Sequence, residues 1–84
     1  MLAAPRREAL KPSDLLALLN WELAAYDECA GCRFTSIRPM GVRDDAGCNW
    51  FDARVRADHR MGTAEHFIVG NVVEETRRAY DLGA

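Results

Sequence analysis

Cysteine is the residue type most open to chemistry in this chain. Cys29-Ala30-Gly31-Cys32 forms a C-x-x-C, and Cys48 follows. Reactive C-x-x-C thiols sit at helix N-termini, where the positive end of the helix dipole favours the thiolate. Here the pair falls at the C-terminus of a helical pattern, which disfavours it, and no flanking Trp or Pro gives a thioredoxin-like setting. A zinc site would add Cys48 and one of His59 or His66 for a Cys3His set. That spacing is loose, and no second C-x-x-C follows. The plainer expectation is a half-buried Cys29 on the core side, with Cys32 and Cys48 facing each other across a hairpin as free thiols. On that expectation the chain holds neither metal nor cofactor. His59 and His66 have no Ser or Asp arranged around them in a triad motif, and both are expected as solvated or hydrogen-bonded surface residues.

Glu22 falls inside an apolar arc, between Tyr26, Leu15 and Leu18. A carboxylate there must find a partner or a higher pKa. General acid or base work is one use. An ion pair with an arginine of the hairpin, or a head group reaching water, is the simpler one, because no second catalytic group accompanies it.

Two tryptophans suggest recognition. Trp50 alternates with Asp52, Arg54 and Arg56, which would place an aromatic and basic strip on one sheet face. Such a strip could stack a base and hold phosphates. Asp52 would repel phosphate, however, and residues 33–60 carry six Arg against four Asp, a small local excess. A solvated lattice of opposite charges, or a protein contact anchored by Trp and Arg, competes with it. Trp21 lies between Ala17 and Ala24 at helical spacing, on the side away from Leu15 and Leu19. That makes a flat patch suited to a partner or a second copy, unless Trp21 leans toward Leu18 or is covered by Leu2 or Leu10. Glu74, Glu75, Arg77 and Arg78 read as a solvated helix face.

These residues need elements to hold them. Ser13 suits an N-cap and Asp14 a first helical turn. Leu15, Leu19, Tyr26 and Ala30 share one face, flanked by Leu18, Leu23 and Cys29, and Gly31 suits a helix end, which predicts a helix over 14–30. Strand formers before Pro39, turn chemistry over 43–47, and clean alternation from Cys48 predict a hairpin of 32–42 with 48–58. Phe51, Ala53, Val55 and Ala57 take one face, while Trp50, Asp52, Arg54 and Arg56 take the other. Phe34 and Ile37 have opposite parity, which a bulge near Pro39 could resolve. A second helix is expected over 64–81, capped by Thr63 and ended by Gly83. Its apolar arc is Ile68, Val69, Val72, Val73, Thr76, Ala79 and Tyr80. The β-branched run Phe67–Val69 also fits a short third strand. The expected fold is a two-layer α+β domain, αββα, over residues 13–84, with both helices on one face of the hairpin and residues 1–12 as an arm.

With 84 residues, the chain has room for a single core. Apolar residues make up 49% and charged ones 29%, which excludes a disordered or collagen-like chain. A formal charge of −2 excludes a global basic field for sequence-blind nucleic-acid binding. Ten of the eleven basic residues are Arg, consistent with a GC-rich bacterial or phage coding bias. The start does not read as a secretory signal, no apolar run is long enough to span a bilayer, and an odd cysteine count fits thiols, so a cytoplasmic location is expected. Gly-rich phosphate loops, H-E-x-x-H and paired-carboxylate motifs are missing.

The leading expectation is therefore a non-enzymatic protein-binding module: a small regulator, adaptor or inhibitor, one form being a phage or mobile-element inhibitor of a host defence complex. Its contact residues would be Trp21, Ala17, Ala24, Trp50, Arg54 and Arg56, with a homodimer as one arrangement. The alternatives are single-stranded nucleic-acid binding through the Trp50, Arg54 and Arg56 face, and a small zinc domain drawing on Cys29, Cys32, Cys48 and His59.

Overall fold

The computed structural model describes residues 7–45 and 47–83. The element order is β1 (Glu8–Leu10), α1 (Pro12–Leu23), a single 3₁₀ turn (Asp27–Cys29), β2 (Cys32–Pro39), β3 (Trp50–Ala57), α2 (Thr63–Ala79) and β4 (Tyr80–Leu82). The expected α+β fold is present: β2 and β3 pair antiparallel, and two helices pack against them. Two short outer strands were not anticipated. β1 pairs parallel with β4, Ala9 opposite Asp81. Glu8–Leu10 is thus strand where an arm was expected, and the rest of that arm, residues 1–6, lies outside the described residues. The third strand does not fall at Phe67–Val69, which is helical.

Pro12, not Asp14, opens α1. Proline at the first helical position loses no hydrogen bond and has its φ preset. Lys11 is the N-cap residue and makes no side-chain cap bond, so Ser13 sits one position inside the helix. Leu15, Leu19 and Leu23, at i, i+4 and i+8, are buried on one stripe. The helix ends at Leu23, well short of residue 30. Its last turn tightens, with Ala25 N–H donating to Glu22 O and Tyr26 N–H to Leu23 O. The apolar period beyond Leu23 is real in sequence but is resolved by the 3₁₀ turn, which buries Cys29 and leaves Tyr26 42% exposed. Gly31, at φ 84°, leads into β2 instead of closing the helix.

Two bulges set the hairpin faces. Phe34 pairs with Val55 but Ser36 with Arg54, so Thr35 is the extra residue in β2. This puts Phe34 and Ile37 on the same inner face despite their parity. Arg38 pairs with Asp52 but Pro39 with Trp50, so Phe51 is the extra residue in β3. Trp50 is thereby turned inward with Ala53 and Val55, while Phe51 is turned out. Asp44 and Gly47 close the turn, the Asp44 carboxylate accepting from Cys48 N–H at 2.9 Å.

α2 starts after Gly62, whose N–H donates to the Glu65 carboxylate at 3.2 Å. It stops at Ala79, where the chain turns extended to join β1. Val69, Val72, Val73 and Thr76 face the core with Leu15, Leu19, Leu23, Phe34, Trp50 and Ala53. Two amides stitch elements together by imitating a strand neighbour. Asn20 of α1 donates to Phe34 O and accepts from Phe34 N–H, at 3.0 and 2.7 Å. Asn49 does the same with Leu82, at 2.9 and 2.8 Å. No helix among the described residues is long and apolar enough to cross a membrane.

Candidate functional sites

The two tryptophans part company. Trp21 is 75% exposed, and Ala17 and Ala24 beside it are exposed as expected. Leu10, one of the residues that could have covered Trp21, is in β1 and packs on the core; Leu2 lies outside the described residues. The surface that Trp21 borders runs toward α2, however, and not along the alanines. A groove of about 240 Å³ is lined by Trp21, Ala25, Tyr26 and Val72, with Glu22, Asn71 and Glu75 at its polar margins. Glu75 is also held by Arg78 at 3.1 Å. The 3₁₀ turn adds the exposed Asp27 and Glu28 after Tyr26.

Trp50 is a correction. Its ring has no exposed surface, and its indole N–H donates to Tyr80 O at 3.0 Å. The bulge at Phe51 inverts the strict alternation on which its solvated placement rested. Trp50 therefore leaves the candidate contact set. Arg54 and Arg56 remain on the outer face, joined across the ladder by Arg33 opposite Arg56 and by Arg38. Phe51, 46% exposed, supplies the aromatic ring there, with the Arg38 guanidinium 5.9 Å from its centroid.

Glu22 finds a partner, though not an arginine. The Thr76 hydroxyl, buried at the helix–helix contact, lies 3.1 Å from its carboxylate and 2.8 Å from Val72 O.

The cysteines also separate. Cys32 pairs with Ala57, not with Cys48. Cys48 is buried near the other end of the hairpin, its thiol donating to Trp50 O at 3.1 Å. It has no place in a metal set with Cys29, Cys32 and His59. Cys32 and His59 converge instead on Glu65, which sequence reasoning missed. The signal available was the position of Glu65 in the first turn of α2, facing back to the His59 connector. Sγ of Cys32, a ring nitrogen of His59 and a carboxylate oxygen of Glu65 lie within 4.8 Å of one another. The Cys32 thiol donates to Glu65 Oε2 at 3.2 Å. His59 Nε2 is 2.6 Å from the same oxygen, and its Nδ1 is 2.6 Å from Asp58 Oδ1. Both ring nitrogens thus face carboxylates, so each must donate, and the imidazolium pKa is raised by hydrogen bonds to Asp58 and Glu65. Glu65 is held below the usual range, first by His59 and then by Cys32. The Cys32 thiol is pushed up to about 11 by burial and by its bond to Glu65. Burial and the Glu65 and Glu28 carboxylates raise Cys29, against a hydrogen bond with Cys32 that lowers it. Thiols held protonated in this way are poor redox nucleophiles. His66 is exposed on α2.

Comparison with protein-family models, curated proteins and solved structures finds no match to this chain.

Proposed function

We propose that the chain is a non-enzymatic protein-binding module that docks through the Trp21 groove, acting as a regulator, adaptor or inhibitor in a reducing, cytoplasmic compartment. The observation that carries this reading is Trp21, 75% exposed beside an apolar groove between the two helices. An indole left wet forgoes roughly 3 kcal/mol of burial, which a partner can recover. Trp is also the residue type that most often anchors protein contacts. The rim decides the kind of partner. Glu22 and Glu75 border the groove, with Asp27 and Glu28 close by in sequence to Tyr26. The fitting occupant is a protein segment with one large apolar side chain flanked by Arg or Lys. The same acidic rim on both sides opposes a dimer built through this groove.

The test uses wild type and Trp21→Ala as baits in the native host, with mass spectrometry of what is retained. A partner cross-linking at the groove through a basic and apolar segment, and lost from the variant at unchanged circular dichroism, supports the reading. Identical retained sets end it. A wild-type dimer in sedimentation that Trp21→Ala breaks would reassign the groove to self-association.

A second reading rests on the outer hairpin face. Arg33, Arg38, Arg54 and Arg56 form no ion pair among the described residues, and they line the same outer face as the exposed Phe51, with Arg38 over its ring. Single-stranded nucleic acid would stack on Phe51 and place phosphates on the arginines, Asp52 opposing. Binding of a short oligonucleotide should weaken steeply with salt and fall further in Phe51→Ala, while the buried Trp50 is not a quenching reporter. No mobility shift at low salt ends this reading.

A further inference from the structure

The proposed docking role leaves unused the cluster where the start of β2, the end of β3 and the first turn of α2 converge. We propose that Cys29, Cys32, His59 and Glu65 bind one Zn²⁺ in a closed tetrahedral site, with Asp58 orienting the histidine. The proposal is independent of the docking reading, and either can fail alone.

Three of the four donors already stand within 4.8 Å of one another. Zinc bonds of about 2.0–2.3 Å place tetrahedral donor atoms roughly 3.3–3.8 Å apart, so shifts of about 1 Å at side-chain ends complete the geometry. Cys29 supplies the fourth donor: it is buried at the end of the 3₁₀ turn that packs on α2, three residues before Cys32. The histidine is set up as metal-site histidines are. Its Nδ1 is held by Asp58 at 2.6 Å, which presents Nε2 to the cluster. Without metal, Glu65 Oε2 collects a thiol proton and an imidazole proton at one point. Zn²⁺ replaces those protons, which leave to solvent as the sulfurs and Nε2 become ligands.

The backbone between the cysteines is built for this arrangement. Gly31 sits at φ 84°, and a Cβ there would lie 2.3 Å from Asp58 Oδ1. Only glycine lets the C-x-x-C knuckle turn and close against Asp58, whose N–H donates to Gly31 O at 3.1 Å. Two sulfurs, one imidazole and one carboxylate suit a borderline-soft tetrahedral ion, and four protein ligands leave no open position for a substrate water. The ion would be structural, pinning the 3₁₀ turn, β2, the β3 exit and α2 in a domain with one small core.

The probes are Zn²⁺ and Co²⁺ added to chelator-treated protein. The proposal expects one equivalent of Zn²⁺ bound per chain, a rise in melting temperature on binding, and a thiolate-to-cobalt charge-transfer band with Co²⁺. Cys32→Ser, His59→Ala and Glu65→Gln should each weaken binding by at least 10-fold, Cys29→Ser should reduce the charge-transfer band, and Cys48→Ser should change nothing. Asp58→Asn should weaken binding about 10–100-fold through the histidine. The cobalt spectrum of the wild-type chain reads the site even where a variant fails to fold. Failure of the wild type to bind one equivalent, binding that survives loss of Cys32 and His59, or equal loss in Cys48→Ser overturns the proposal.

Discussion

Trp21 and Trp50 carry the same ring and meet opposite surroundings. Trp50 fills the space between the β3 bulge and the end of α2, and its N–H satisfies Tyr80 O. Removing it leaves a cavity among residues already fixed by the bulge and by α2. Trp50→Ala should therefore cost about 3–5 kcal/mol. Trp50→Phe keeps most of the apolar volume but removes the donor, and should cost about 1–2 kcal/mol. Trp21→Ala removes a ring that the monomer does not bury, and should stay within about 0.5 kcal/mol. Urea unfolding followed by circular dichroism reads all three on one scale. A Trp21→Ala loss as large as that of Trp50→Ala would show that the Trp21 ring is internal after all, and the docking role would lose its anchor.

At the scale of the elements, the signals that survived into the fold were those with a strong period and no competing geometry. Leu15 and Leu19, flanked by Leu23, marked the buried stripe of α1, though Tyr26 and Ala30, read on the same face, are exposed beyond its end, and Val69, Val72, Val73 and Thr76 marked that of α2. The turn at Asp44 and Gly47 was legible because Asp and Gly act locally, through a side-chain acceptor and a positive φ. What was hidden depends on register. A bulge displaces every later side chain by one position, and nothing in the alternation of Trp50, Asp52, Arg54 and Arg56 announces that Phe51 is the residue left over. The parity conflict of Phe34 and Ile37 did announce a bulge, but it lies at Thr35, away from Pro39. β1 and β4 are three residues each, too short to show a period, and are held by partners distant in sequence. The cluster of Cys32, His59 and Glu65 was legible in part for the same reason. Cys29 and Cys32 are local, and His59 was a candidate, but Glu65 joins them only because α2 begins where the β3 exit delivers His59.

For the whole molecule, the decisive long-range tie is Asp81. It is buried in β4 and receives Arg7 Nε at 2.9 Å and an Arg43 amino group at 2.7 Å, joining the N-terminal strand and the hairpin turn to the C-terminal strand. Arg7 also donates to the carbonyls of Arg77, Arg78 and Tyr80, so the same side chain caps the end of α2. Burial alone would raise the Asp81 pKa, but the two guanidinium groups more than offset it and hold the folded carboxyl below its ordinary value of 3.8. A carboxylate whose folded pKa is depressed stabilises fully above the unfolded value, and this contribution is lost as pH falls through the folded one. Asp81→Asn stays neutral throughout, so it removes the contribution at neutral pH and has nothing left to lose in acid. The variant should be less stable than wild type by about 1.5–3 kcal/mol at neutral pH, the order of a buried hydrogen bond to a charged group. The gap should narrow as pH falls below 3.8. Denaturant unfolding of both proteins across the acid range, at constant ionic strength, measures it. A gap of constant size down to full protonation would mean that Asp81 acts through shape and neutral hydrogen bonds, and that the charge of the clasp does not hold the two chain ends together.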